Sequence, residues 1–166
     1  GELDEQKNEF IKGNRVSNII TVSVGIFVAS FSKELLLLWT GSQTIADVMR
    51  IAAFPLIVGT TFNALQEIPY NYFLSSGVTI VNNIQTVCSI IYVIFVTPVM
   101  IAKYGITGAA CSWLIQMAVF TLIYLWVFYK KFFPGEILQR MVIDTGIPIL
   151  SALFMSSLAR FVTNCL

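Results

Sequence analysis

Five long apolar stretches fill almost the whole chain and limit what it can fold into: residues 16–39, 45–74, 78–102, 106–129 and 141–166. A helix that crosses a membrane needs about 20 apolar residues. Of the 166 residues, 57% are hydrophobic and 11% are charged, whereas soluble domains have about 25% charged residues. We therefore predict an all-α integral membrane protein with about five transmembrane helices and no separate soluble domain.

The polar residues between these stretches define the predicted parts of the chain. Residues 1–15 are predicted to be a cytoplasmic connector in water or against lipid headgroups, and residues 16–129 a unit of four helices. Residues 130–140 form a predicted cytoplasmic loop, and residues 141–166 a further transmembrane helix. Pro55 and Pro69 predict a tilt or a break in the second stretch, because proline removes a helix hydrogen bond. The start at Gly1 suggests a piece of a longer chain.

The positions of the basic residues predict which ends face the cytoplasm. Lys and Arg collect on the cytoplasmic side of membrane proteins. With a cytoplasmic start, the cytoplasmic loops would hold Lys7, Lys12, Arg15, Lys130, Lys131 and Arg140, and the outer turns only Lys103. This asymmetry predicts a start inside and an end outside.

Several classes of function find no support in the sequence. The net charge of +1 offers no basic surface for nucleic acid. The chain has no His, and its cysteines, Cys88, Cys111 and Cys165, are too far apart for a metal-binding motif. Phosphate-binding and hydrolase motifs are absent as well. We expect a transporter rather than an enzyme, with no cofactor and no bound metal.

Two rows of polar residues lie within apolar stretches, where polar side chains are costly and often functional. Asn63, Glu67 and Asn71 follow one another at four-residue spacing, which places them on one helix face. Asn82 and Gln85 share a face of the next stretch. The sequence predicts that these five residues line a substrate cavity, although such amides can also serve only in helix packing.

Two charged residues have alternative interpretations. Glu67 could bind a proton or a cation, or it could be a carboxylate at the membrane interface near Pro69. Arg50 is a weaker candidate for the cavity, as a partner for an anionic headgroup. Because Asp47 lies three residues before Arg50 on the same face, an ion pair between them is the alternative.

Two stretches of sequence carry a resemblance to a known family. They are Leu36-Leu37-Leu38-Trp39-Thr40-Gly41 at the end of the first apolar stretch and Tyr104-Gly105-Ile106-Thr107-Gly108-Ala109-Ala110 before the fourth. Together with the proline-broken helix between them, residues 16–130 resemble the C-terminal lobe of the polysaccharide transporters, the Wzx-type O-antigen and capsule flippases of the MOP flippase superfamily.

The resemblance implies a part of a MATE/MOP-like transporter with two lobes around a central cavity. Such proteins move undecaprenyl-pyrophosphate-linked oligosaccharide across the bacterial inner membrane by alternating access. The implied partners are lipid-linked oligosaccharide, membrane lipid, a polysaccharide polymerase and glycosyltransferases, and the full-length protein would be a monomer. A coupling ion, proton or sodium, is left open.

Three alternatives remain open on the sequence. A MATE-like cation-coupled exporter of drugs or metabolites would use Glu67 as its coupling carboxylate. A membrane-embedded enzyme acting on lipid-linked sugars is less favoured, because the chain lacks His and an acidic sugar-nucleotide motif. A helical bundle without transport activity is the third.

Overall fold

The computed structural model of the chain describes residues 2–135, 139, 141–148, 150 and 154. In that part of the chain all regular structure is helical and no strand is present. The all-α prediction is confirmed for these residues. The helices are α1 (Glu2–Ser30), α2 (Ser32–Thr40), α3 (Gln43–Leu65), α4 (Glu67–Ser75), α5 (Ile80–Phe95) and α6 (Thr97–Phe132), followed by a π-helical turn at Val142–Gly146.

The first apolar stretch does not form one straight helix. The axes of α1 and α2 differ by 67° at the break between Ser30 and Ser32. No Pro or Gly lies near Phe31 to signal this bend. The predicted first span over residues 16–39 is therefore a bent pair of helices.

Helix α1 begins well before the apolar stretch, at Glu2, so the predicted connector continues directly into it. Its inner face is buried: Asn14 is 1% exposed, and its Nδ2 donates to the Tyr129 hydroxyl at 3.3 Å. Phe10 packs against the Phe128 ring. Not all of residues 1–15 therefore lie in water or against headgroups as expected, because these two side chains complete the core.

The second apolar stretch is divided in two, as its prolines predict. Gly41 ends α2 with a left-handed φ of 66°, and the Ser42 side chain accepts a hydrogen bond from the Ile45 N–H at the start of α3. The chain then breaks at Gln66, between α3 and α4. Pro69 explains the break, because it has no N–H for the carbonyl of Leu65. Pro55 lies inside α3 without ending it.

The third and fourth stretches form an antiparallel hairpin. Successive residues of α5 contact successively earlier residues of α6. The Tyr124 hydroxyl donates to Asn82, Gln116 donates to Ser89, and the Tyr92 hydroxyl donates to the Ser112 carbonyl nearest the turn. The chain reverses at Gly105, whose φ of 60° and ψ of −141° are not helical. Residues 97–104 therefore continue the direction of α5, and residues 106–132 return. The predicted turn at residues 103–105 is confirmed.

The helices alternate in direction around an aromatic core at one end. Helix α3 packs against α6 on one side and against α1 and α2 on the other. A largely aromatic cluster lies at the end of α4 and α6, and Phe10 of α1 packs against it. Its buried members are Phe73, Tyr124, Leu125, Phe128, Tyr129 and Phe133. This end also carries Lys130 and Lys131, and it fixes the helices that border the site described below.

Helix length and composition support a membrane location. Gln43–Ser75, taken through its break, and Thr97–Phe132 are long and apolar enough to cross a membrane. Within Thr97–Phe132 the spanning limb is residues 106–132, after the turn at Gly105, about 40 Å long at 1.5 Å per residue. The bent pair Glu9–Ser30 and Ser32–Thr40 would be a third span. The predicted helix over residues 141–166 lies largely outside the described residues. The arrangement of two lobes stays a prediction.

Candidate functional site

A cavity of about 430 Å³ opens between α3, α4, α5 and α6. Its polar lining combines one carboxylate, three amides, three hydroxyls and a phenol, and its apolar lining comes mainly from α5 and α6. The lining residues are Thr60, Asn63, Ala64, Gln66, Glu67, Tyr70, Gln85, Thr86, Ser89, Ile90, Met117 and Phe120.

Three amides form a continuous chain along one wall of this cavity. The Gln85 Nε2 donates to the Gln66 Oε1 at 2.7 Å, and the Gln66 Nε2 donates to the Asn63 Oδ1 at 2.9 Å. The chain links α5 to the break between α3 and α4. Because each amide has both donors and acceptors, groups remain on Asn63 and Gln85 for a ligand.

The break at Gln66 places the next two polar side chains at the cavity. The Gln66 carbonyl accepts the backbone N–H of Tyr70 at 2.8 Å, which starts α4 directly after the break. Glu67 and Tyr70 are both exposed and both line the cavity. No basic side chain in the described part of the chain pairs with Glu67 within 4.0 Å. The carboxylate is thus available to a ligand.

The opposite wall is held in place by a buried glutamine. Gln116 is 2% exposed, and its Nε2 donates to the Ser89 hydroxyl and to the Ser89 carbonyl at 3.4 Å. Thr121 on the same helix donates to the Phe62 carbonyl of α3 at 3.0 Å. These bonds fix α6 against α5 and α3, with Met117 and Phe120 facing the cavity.

The structure brings together three of the predicted site residues, Asn63, Glu67 and Gln85. Asn71 is exposed but does not line the cavity, because it lies one turn beyond Glu67 on α4, past Tyr70, the last lining residue of that helix. Asn82 is 4% exposed and accepts the Tyr124 hydroxyl at 2.6 Å. It therefore holds α5 to α6 instead of lining this cavity.

Arg50 lies on another side of α3, in a separate pocket that it shares with Ser32 and Phe54. The expected ion pair with Asp47 is not formed. Asp47 instead binds Lys33 of α2, with 2.6 Å between Oδ1 and Nζ. The bend between α1 and α2 explains why Asp47 pairs with Lys33, since the bend brings Lys33 over the start of α3.

Several residues of the cavity are not recognisable as site residues from the sequence alone. Gln66 was recognisable only as a neighbour of the polar row, although Pro69 three residues later signals the break that exposes it. Thr60, Met117 and Phe120 carry no signal of their own, because threonine and apolar residues are common in any membrane helix. Tyr70 could equally be an aromatic residue at the membrane–water interface. Only the packing of α3, α4, α5 and α6 brings these side chains together around the cavity.

Chemically, the cavity suits a ligand rich in hydrogen-bonding groups or one with a positive charge. Amides and hydroxyls pair with sugar hydroxyls as both donors and acceptors, and Glu67 adds one negative charge. Among the described residues no group of three or more His, Cys, Asp or Glu side chains could hold a metal ion.

Comparison with known proteins gives one informative similarity. The chain is 25% identical over 129 residues to a Shigella flexneri protein described as "Putative O-antigen transporter". The match covers 78% of this chain and 31% of that relative, so the chain spans about a third of the relative's length. No protein-family model matches the chain, and no solved structure matches it. The similarity and the apolar helices together indicate a membrane protein.

Proposed function

We propose that this chain is part of a flippase that moves undecaprenyl-pyrophosphate-linked oligosaccharide repeat units across the bacterial inner membrane by alternating access. The similarity to the Shigella flexneri protein supports the class of substrate. The observation that carries the proposal is the amide chain of Asn63, Gln66 and Gln85 along an open cavity. The N-terminus of the chain is proposed to be cytoplasmic.

A polar wall would lower the main energetic cost of moving a glycan through lipid, which is the loss of its hydrogen bonds to water. A sugar hydroxyl that leaves water without a hydrogen-bond partner costs roughly 2–7 kcal/mol, depending on the reference state. A wall of amides and hydroxyls replaces the lost water. Met117 and Phe120 on the facing side offer apolar contacts for sugar rings. In this account, rocking of the helix bundle exposes the wall first to one side of the membrane and then to the other.

Glycan export by the full-length protein in its host tests the proposal. Replacing both cavity glutamines, Gln66→Ala with Gln85→Ala, should reduce surface glycan about thirtyfold, since each of two lost hydrogen bonds contributes about 1 kcal/mol and about 1.4 kcal/mol is a factor of ten. Asn83→Ala is the matched control: Asn83 is exposed on the same helix as Gln85 and does not line the cavity. Surface glycan should be measured together with the amount of protein in the membrane. Normal export by the double variant would remove the cavity from the mechanism.

A cation-coupled exporter is the second candidate function, and the unpaired Glu67 carboxylate on the cavity wall favours it. Under this alternative, Glu67→Gln should abolish proton- or sodium-dependent efflux of a cationic dye from membrane vesicles. Glu34→Gln, the same change at an exposed residue of α2, should leave efflux intact. Absence of any ion-dependent efflux by the unchanged protein would decide against this alternative.

A further inference from the structure

We infer that the chain carries a binding site for an anionic phospholipid on the side of α3 that faces away from the polar cavity. The site combines an apolar groove between α1 and α3 with a cationic pocket at one end of it. Neither part belongs to the proposed glycan path, so the inference is independent of the proposed function.

The apolar part of the site is a cavity of about 250 Å³ between α1 and α3. Ile26 and Val58 lie on its two walls. At its inner end Val22 and Leu65, 1% and 2% exposed, pack against each other and close it. The other end of the groove, at Ala29 and Ser30, lies at the bend between α1 and α2.

The helices meet closely along this groove. A side chain at Gly25 would overlap Thr61 of α3, whose hydroxyl is turned to the Ile57 carbonyl at 2.9 Å. Elsewhere the groove is lined by apolar side chains, among them Val58 and the rings of Phe54 and Phe62. Such a lining suits a hydrocarbon chain, which has no polar group to satisfy.

The second part of the site is the pocket that contains Arg50. It shares Ala29, Ser30 and Phe54 with the apolar groove, so the two cavities adjoin each other. The Asp47 carboxylate, which could have neutralised Arg50, is bound to Lys33. No carboxylate in the described part of the chain lies within 4.0 Å of the Arg50 guanidinium. A guanidinium with open donors binds a phosphate through two parallel hydrogen bonds.

The dimensions match one leaflet of a bilayer. Phe54 and Leu65, at the two ends of the groove's α3 wall, are eleven positions apart, which is about 16 Å at 1.5 Å per residue. Half of a typical hydrocarbon core is about 15 Å. An acyl chain anchored by its phosphate at Arg50 would therefore reach the closed end of the groove. This match favours a membrane phospholipid over a longer lipid that crosses both leaflets.

Native mass spectrometry of the full-length protein in detergent would test this site with two lipids of identical acyl chains. Phosphatidylglycerol should bind about tenfold more tightly than zwitterionic phosphatidylcholine. Arg50→Gln should abolish this preference. Lys103→Gln, which removes an exposed cation next to the turn at Gly105, should retain it. Equal binding of both lipids by the unchanged protein, or a preference that survives Arg50→Gln, would overturn the inference.

A substitution that fills the groove tests whether lipid binds there. Val58→Trp should weaken the binding of both lipids at least fivefold, whereas Val48→Trp, on the same helix but outside both pockets, should leave binding unchanged. In the unchanged protein, a phospholipid with a photoreactive group on its acyl chain should label the peptide that contains residues 54–65. Labelling only elsewhere, or a cross-link from Val58→Cys to another helix of the same protein, would show a different occupant and overturn the inference.

Discussion

Replacing Gly108 by alanine should destabilise the helical hairpin by about 3 kcal/mol, the upper end of the range for overpacking. A Cβ at this position would overlap the backbone carbonyl of Met100. A carbonyl cannot rotate away as a flexible side chain can. The two limbs on either side of Gly105 would have to separate, and the Thr97–Ser112 hydrogen bond of 3.0 Å would be lost with them. The melting temperature of the purified full-length protein measures the effect.

Gly13→Ala is the matched control for this change. Gly13 is an exposed residue of α1, and a Cβ there would meet nothing within 4 Å. Alanine at such a helical position stabilises by about 0.4–1 kcal/mol, because it restricts the unfolded chain. A melting temperature for Gly108→Ala equal to that of Gly13→Ala would show that residues 97–104 do not turn back onto the following limb.

Truncating Phe128 to alanine should cost about 3–5 kcal/mol, the range for a buried phenylalanine. Phe128 is 0% exposed, and its ring centroid lies 5.1 to 5.7 Å from those of Phe10, Tyr72 and Phe73. These contacts join α1, α4 and α6 at one end of the bundle. The cavity left by the ring would loosen all three helices. Yield of folded protein after detergent extraction should fall sharply.

The control for Phe128 is the same substitution on an exposed side chain. Phe95 is 69% exposed at the end of α5. Where such a ring faces lipid, its loss removes few protein contacts, since lipid tails are as apolar as the side chain. Phe95→Ala should change the yield little. Equal losses for both variants would mean that the aromatic cluster does not hold the helices together.

The turns of this fold could be predicted because each has its own local chemistry. Gly41, Gly77 and Gly105 all adopt positive φ, which glycine tolerates best, and each lies between apolar stretches that can be recognised by length. Pro69 marks the break at Gln66 in the same way. The bend at Phe31 could not be predicted, because it depends on how α2 lies over α3 and not on any residue at the bend.

The candidate site was predictable in part for a related reason. Helical spacing identified Asn63 and Glu67 correctly as neighbours on one face, and Gln85 joined them from the next helix. The same spacing does not show how far the cavity extends along a helix, so it also included Asn71, one turn beyond Glu67 on α4. It also could not separate Gln85 from Asn82, since both lie on polar faces of α5. Only the position of Tyr124 makes Asn82 a packing residue.

The most direct test of the account is whether water reaches the polar wall in the native membrane. In the full-length protein, with Cys88, Cys111 and Cys165 replaced by serine, Gln85→Cys should react with a membrane-impermeant maleimide at least tenfold faster than Ile84→Cys. Ile84 is 56% exposed on the same helix but lies outside the cavity, and a thiol in lipid forms little of the reactive thiolate. Equal reaction rates at the two positions would contradict a water-filled cavity between α3, α4, α5 and α6.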